Sequence, residues 1–365
     1  MDNGYLAALL DWFDASAREL PWRKITDPYA IWVSEIMLQQ TQVATVIPYW
    51  NRWMEAFPNI HSLSIAEPSQ VLKLWQGLGY YSRARNLQSA AQLIQLEHAG
   101  VFPQIPSDII NLPGVGRYTA GAIGSIAFNQ PVPIVDGNVL RILTRFFGIV
   151  SDAKSSAIQN QLWHIAAQLV SNPPEGRHGD FNQAMMELGA LVCLPRAPRC
   201  NECPWQQWCY ASRKNVTDRI PHLRTGIAST HRYFVAIIVF RPDKHLLIQQ
   251  RPSHGVNANF WEFPVWEVPS RGESPNRLNQ ELGETFDWEL CGTVRHSITR
   301  YRMTVDFFSP KTIGKRGLAS LKKSLPLARW VDEKDLLKLP LVTAHARALK
   351  HKFWLNQLEQ EAFFQ

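Results

Sequence analysis

Leu112-Pro113-Gly114-Val115-Gly116-Arg117-Tyr118-Thr119-Ala120 sets two glycines two residues apart immediately before an apolar helical stretch. Such a turn exposes successive backbone N–H groups at a helix N-terminus, a place where a phosphate oxygen is welcome. An ordinary glycine turn between two helices would read the same way in isolation. About 20 residues on, Val135-Asp136-Gly137-Asn138-Val139 opens the next helix. Asp136 there is either a plain N-cap or a carboxylate held at a fixed position for chemistry.

Helical spacing surrounds both segments. Leu6, Leu9, Leu10 and Phe13 share one face, as do Ile31, Ile36 and Leu38, and Asp27-Pro28 marks a helix start. Further helices are predicted over Gln42–Phe57, Pro68–Leu74, Arg83–Glu97, Tyr118–Ala127, Val139–Phe147 and Ile158–Val170. Many short helices with turns between them describe a compact all-α body over residues 1–210. Residues 211–232 carry Arg213, Lys214, Arg219, Arg224 and Arg232 against the single acid Asp218, with Pro221 and Gly226 as breakers, and read as a basic linker. From 233 to 365 the pattern turns to β-branched and aromatic runs. Strands are expected at Tyr233–Phe240, His245–Gln250, Phe260–Val268, Met303–Phe308 and Ala328–Val331, with a closing helix over Thr343–Leu358. The second domain is thus α+β.

Four of the five cysteines, Cys193, Cys200, Cys203 and Cys209, follow the pattern C-x6-C-x2-C-x5-C. Residues Met1–Leu20 hold four acids and lack a basic start before an apolar core, so a cytoplasmic setting with reduced thiols is expected. A metal site is then expected rather than a disulfide framework. The uneven spacing favours an iron–sulfur cluster, with structural zinc the other reading. The fifth, Cys291, is expected to be a small core residue. Lys plus Arg exceeds Asp plus Glu by 38 to 31, a net charge of +7 that suits an anionic partner. No apolar run of about 18 residues exists, so no membrane helix is expected. Glu35, in Ile31-Trp32-Val33-Ser34-Glu35-Ile36-Met37-Leu38-Gln39-Gln40, is either a surface acid or an inward one. Facing inward it would be desolvated, its pKa raised, and its proton kept near neutral pH.

In this order, the glycine hairpin, V-D-G-N-V and the cysteine loop resemble the MutY-type adenine DNA glycosylases of the helix-hairpin-helix superfamily, which also holds endonuclease III. The resemblance implies a two-lobed helical fold on DNA and a structural four-iron–four-sulfur (4Fe–4S) cluster on the four cysteines. It makes Glu35 the acid that protonates adenine N7 and Asp136 the anion facing the resulting oxocarbenium ion, with Asn138 and Tyr118 holding Asp136 and the intermediate. Tyr118 stands where the endonuclease III branch carries an imine-forming lysine, which implies a monofunctional enzyme. The same resemblance offers Gln40 and Tyr80 as groups inserted at the lesion, Leu38 and Gln183 as lining of the adenine pocket, and Arg23 as a pocket or surface partner. Gly114 and Gly116 would take the DNA phosphate.

The second domain resembles the Nudix fold through Phe260-Trp261-Glu262-Phe263-Pro264. Aligned on Gly283, Asn276-Arg277-Leu278-Asn279-Gln280-Glu281 lacks most of the magnesium carboxylates, so nucleotide hydrolysis is not expected. The implied role is reading 8-oxoguanine opposite the adenine. Ile298-Thr299-Arg300 stands where the family carries Phe-Ser-His; Thr299 keeps the hydroxyl, and Arg300 departs from the pattern. The expected partner is duplex DNA with A opposite 8-oxoguanine or G, bound by a monomer, at the nucleoid if the chain is bacterial. Two other readings compete: an endonuclease III-like pyrimidine glycosylase-lyase, and a non-enzymatic iron–sulfur DNA-binding protein.

Overall fold

The computed structural model of the chain describes residues 4–222, 228–283 and 285–351. Two compact units emerge, one of Met1–Ala66 with Ser82–Thr225, the other of Glu67–Tyr81 with Gly226–Gln365. Helices come first in chain order: α1 (Gly4–Ser16), α2 (Pro28–Leu38), α3 (Val43–Ala56), α4 (Ile60–Ser64), α5 (Pro68–Trp75), α6 (Ser82–Glu97) and α7 (Pro106–Ile109). There follow α8 (Arg117–Phe128), α9 (Gly137–Phe147), α10 (Ser156–Val170), α11 (His178–Leu191) and α12 (Tyr210–Arg213).

Local chemistry sets the helices that carry the site. The Asp27 side chain accepts the Tyr29 N–H at 3.0 Å and Pro28 occupies the first turn, so α2 starts where Asp27-Pro28 predicts. Nine of its eleven residues are buried, Glu35 among them. Its C-terminal end is closed from outside. Arg83 Nη1 donates to the carbonyls of Ile36, Met37 and Gln39 at 2.7, 3.2 and 2.6 Å, groups that the helix itself leaves free. The chain then reverses through Gln40 at φ +56°.

The helical core joins Leu6, Leu9, Leu10 and Phe13 of α1 to Val139, Ile142 and Leu143 of α9 and to Phe181, Met185 and Leu188 of α11. Fully burying each such side chain contributes about 1.5–3 kcal/mol. Helix α8 approaches the segment around Pro133 so closely that a Cβ at Gly121 would lie 2.3 Å from the Pro133 carbonyl oxygen. Ile220 is buried, and Arg145 takes its carbonyl at 2.8 Å, so the chain beyond α12 lies against α9.

The second unit holds β1 (Thr230–Ile237), β2 (Leu246–Gln250), β3 (Trp261–Glu262), β4 (Val265–Val268), α13 (Ser274–Leu282), β5 (Trp288–Ile298), β6 (Tyr301–Pro310), α14 (Lys315–Ser324), β7 (Ala328–Val331), α15 (Glu333–Lys338) and α16 (Thr343–Lys350). The remainder of the predicted closing helix, residues 352–358, lies outside the described residues. One sheet runs β4-β1-β6-β5, with β1 and β6 parallel; the other runs β3-β2-β7. The expected single strand Phe260–Val268 is two strands, one in each sheet. Pro264 has no N–H for a ladder, and the Phe263 N–H is taken by His345 Nδ1 at 3.0 Å, so pairing stops between them. Cys291 is half-buried beside a register shift between Leu290 and Gly292, not in the core proper, and burial pushes its thiol up to about 11. Helix α5 and the turn after it belong with these strands: Lys73 Nζ donates to the Leu339 carbonyl at 3.0 Å, and the Tyr81 ring lies 4.1 Å from that of Phe260.

Close packing of α8 predicts an asymmetric glycine response. Gly121→Ala drives a Cβ into backbone and should lower stability by about 1–3 kcal/mol. Gly137→Ala, with nothing within 4 Å of the new carbon, should be neutral or stabilising by under ~1 kcal/mol. Equal unfolding midpoints for the two variants would contradict the packing described.

Candidate active site

Pro28–Leu38, the first turn of α8, the start of α9 and α11 enclose a cavity of about 490 Å³ in the helical unit. Glu35, Leu38, Gln40, Arg23, Tyr118, Asp136, Asn138 and Gln183 all line it. Residues from four separate stretches of the sequence are thereby brought together. Gly114 and Gly116 precede α8 outside this lining; Gly114 sits at φ +77°, and Gly116 is the N-cap position of α8. Tyr80, Thr299 and Arg300 belong to the second unit. Tyr80 is 43% exposed at φ +46°, a left-handed conformation that a bulky side chain seldom adopts.

Three acids face the cavity, and each has different partners. Glu35 is buried and accepts one hydrogen bond, from the Tyr118 hydroxyl to Oε2 at 2.8 Å. Burial pushes its pKa up to about 7; repulsion from Asp136 adds to this, while Tyr118 and Arg23 pull the other way. Asp136 is the N-cap of α9. Its carboxylate accepts the Val139 N–H at 2.7 Å and the Asn138 Nδ2 at 3.0 Å. Burial still raises its pKa, against these donors and Arg141. Asn138 therefore supports Asp136 as expected, whereas the Tyr118 hydroxyl is given to the other carboxylate.

The third acid, Glu187 on α11, was not singled out from the sequence. It is 1% exposed, meeting Arg18 through two side-chain hydrogen bonds of 2.7 and 2.6 Å and Arg23 at 2.9 Å. Burial works to raise its pKa, but the two guanidiniums outweigh burial and hold it at about 2. Arg23 thus neutralises a buried acid, not a surface one. An acid among Phe181, Ala184, Met185 and Leu188 at helical spacing is the same signal that marked Glu35.

Helix α9 also reaches the cysteine loop. Arg141 donates to Asn138 Oδ1 at 2.9 Å, to the Gly189 carbonyl at 2.8 Å and, through Nε, to the Cys193 carbonyl at 2.7 Å. One turn on, Arg145 Nη1 bonds the Leu194 carbonyl at 2.7 Å and lies 3.4 Å from Cys193 Sγ. Cys193, Cys200, Cys203 and Cys209 are free thiols lining one small cavity with Arg145. Burial, with the neighbouring cysteines adding to it, pushes Cys203 up to about 12. Among the described residues no three His, Cys, Asp or Glu side chains form a single-ion site. In the second unit Glu281, the carboxylate left in the Nudix-like segment, pairs with Arg277 on α13.

Glu35 couples stability to pH. Its folded-state pKa of about 7 exceeds the ordinary 4.5, so the folded chain binds the proton more tightly than the unfolded one. Stability is highest below about pH 4.5 with respect to this group and falls as pH rises to about 7. Glu35→Gln removes the dependence. Relative to that variant the wild type should lose about 2.5 kcal/mol between pH 5 and pH 8, read by denaturant unfolding at both pH values. Parallel stability profiles would show that Glu35 is not desolvated.

Residues 33–168 match the HhH-GPD superfamily of base excision DNA repair proteins, and residues 235–351 match the NUDIX domain. The chain is 36% identical to the adenine DNA glycosylase of Rattus norvegicus, over 94% of this chain and 76% of that protein. It is 44% identical to the adenine DNA glycosylase of Buchnera aphidicola from Acyrthosiphon pisum, over 71% of this chain and 73% of that protein. A solved thermostable thymine-DNA glycosylase superposes with a TM-score of 0.53 at 28% identity, over 58% of this chain and 96% of that one. No helix among the described residues is long and apolar enough to cross a membrane. With a buried acid and a second carboxylate in one cavity, and relatives of this identity along nearly its whole length, the chain belongs to the adenine DNA glycosylases of the HhH-GPD superfamily.

Proposed function

We propose that this chain hydrolyses the N-glycosidic bond of adenine paired with 8-oxoguanine or G in duplex DNA, without a strand-cleaving lyase step. The observation that carries the reading is the unequal pair Glu35 and Asp136 in one cavity. Adenine enters that cavity flipped out of the duplex. Glu35, with its pKa near 7, donates its proton to N7. The bond between N9 and the sugar C1′ breaks, its electron pair stays on the base, and the sugar develops oxocarbenium character. Asp136, its carboxylate held by the Val139 N–H and the Asn138 amide, faces this charge, and water then adds to C1′ while its proton passes to the Glu35 carboxylate. A lysine would be needed for imine chemistry. Tyr118 occupies the hairpin position instead, and among the described residues no lysine lines the cavity.

Gln40 and Tyr80, both at positive φ, are offered as the groups that enter the duplex at the lesion, and Leu38 and Gln183 as walls of the adenine site. The N–H groups around Gly114 and Gly116 suit a phosphate. Thr299 is read as the lesion contact. It is exposed at the turn between β5 and β6, and its hydroxyl donates to its neighbour Ile298's carbonyl at 2.7 Å. The oxygen is left to accept, and 8-oxoguanine differs from guanine in presenting an N7–H. Arg300 stacks on the Tyr301 ring at 5.0 Å, which suits an anchor to phosphate rather than a base contact.

The four cysteines fit a 4Fe–4S cluster. They are unpaired, share one cavity, and as thiolates would repel one another without a cationic core. Such a cluster would supply structural cross-links; Arg145 and Arg141 hold the loop to α9.

Duplexes with A opposite 8-oxoguanine, A opposite G, and thymine glycol test the reading. Only the adenine duplexes should be cut, and only after alkali. Glu35→Gln and Asp136→Asn should each lower adenine release by about 10²–10⁴-fold while still binding the duplex. Thr299→Ala should narrow the preference for 8-oxoguanine over G by about 1 kcal/mol. Cutting without alkali, or activity on thymine glycol, would overturn the assignment.

Elemental analysis addresses the cysteines separately. About four irons per chain and a brown colour are expected. Stoichiometric zinc with no iron would refute the cluster.

A further inference from the structure

The four-stranded sheet carries arginines on three strands, and they are not alike. Arg232 on β1 is paired with Glu267. Arg295 on β5 and Arg302 on β6 are exposed and meet no carboxylate among the described residues. Their register places them together: Arg295 lies opposite Thr304, and Ser297 opposite Arg302. Residues opposite one another in a ladder share a face, so the two arginines are diagonal neighbours, roughly 7–8 Å apart. The parallel pairing of β1 with β6 sets His231 beside Arg302 on that same face.

These side chains, with Tyr233 and Arg271, line an open groove of about 570 Å³. Arg271 is committed to its floor, bonding Asp306 at 2.8 and 2.7 Å and Thr293 at 3.1 Å. Two neighbouring cations without counter-charge repel unless an anion joins them. Ser297 and Arg302 of the groove lie two residues from Thr299 and Arg300 of the turn.

We propose that this face of the β5–β6 hairpin is a contact surface for the phosphate backbone of duplex DNA, with Arg295 and Arg302 as its cations and His231 as a third donor. The inference rests on the excision reading above. An open strand face with diagonal charges suits a continuous polyanion. Its contacts position the duplex and carry no base information, so lesion preference is left to the turn.

Equilibrium binding of the full chain is measured between 50 and 200 mM salt, with a duplex carrying A opposite 8-oxoguanine and with a fully matched duplex. Arg295→Ala and Arg302→Ala should each flatten the slope of log K against log salt by about 0.9, equally for both duplexes. Arg295→Lys and Arg302→Lys keep the charge and should restore the slope. Lys334→Ala, which removes an exposed charge on α15, should leave it unchanged. In the unmutated protein, the duplex should shield Arg295 and Arg302 from phenylglyoxal. Wild-type slopes in the double Ala variant, a Lys334→Ala effect of the same size, or no shielding would overturn the surface even with excision intact. Saturable pyrophosphate binding lost in Arg302→Ala, with the DNA slope unmoved, would replace it with a small-anion site. Loss of both excision and DNA binding in the wild type would overturn this surface and the excision reading together.

Discussion

Burying a carboxylate is unfavourable unless donors or cations compensate, and the helical unit compensates its three cavity acids to different degrees. Glu187 receives two guanidiniums and stays charged. Asp136 receives a helix N-terminus and an amide, with Arg141 acting at a distance, and burial still leaves its pKa raised. Glu35 receives one phenol and the repulsion of Asp136, and so holds its proton. The three acids thus differ in the donors each receives. Three carboxyl groups differ in this way because α2, α9 and α11 deliver different neighbours to them.

Much of this arrangement was legible because it is local. Asp27-Pro28 starts a helix by its own chemistry, and the glycine hairpin and Asp136 lie within a few residues of the helices they open. Strand β7 ends where its composition ends. Other features depend on distant parts of the chain. Glu187 is defined by arginines 164 and 169 residues away, and no window of sequence contains all three. Helix α11 itself escaped notice because Gly179 and Gly189 dilute its pattern. Both are there for close approach: a Cβ at Gly179 would lie 2.5 Å from the Ser125 carbonyl, and one at Gly189 2.5 Å from the Asn138 Cβ. Strand β5 contains Gly292 at a register shift, which masks its alternation in the same way.

Helix α9 connects the two chemistries of the helical unit. Its first residues hold the carboxylate, and its middle turns hold the cysteine loop through Arg141 and Arg145. Arg145 alone also gathers the carbonyls of Pro195, Thr217 and Ile220, so loop, following chain and helix share one guanidinium. A disturbance at Cys193 has a short bonded route to Asn138 and from there to Asp136. The spacing of these residues at one helical turn makes the route as rigid as the helix.

The membership of α5 in the strand unit has a consequence for biosynthesis. Lys73 finds its carbonyl partner at Leu339, 266 residues later, and Tyr81 finds Thr343. The chain leaves the ribosome at about 5–20 residues per second, so those partners emerge on the order of tens of seconds after α5. Helices α8, α9 and α11 can meet α1 well before then, since their core closes by Trp205. During that interval Lys73 and Tyr81 wait without those two partners.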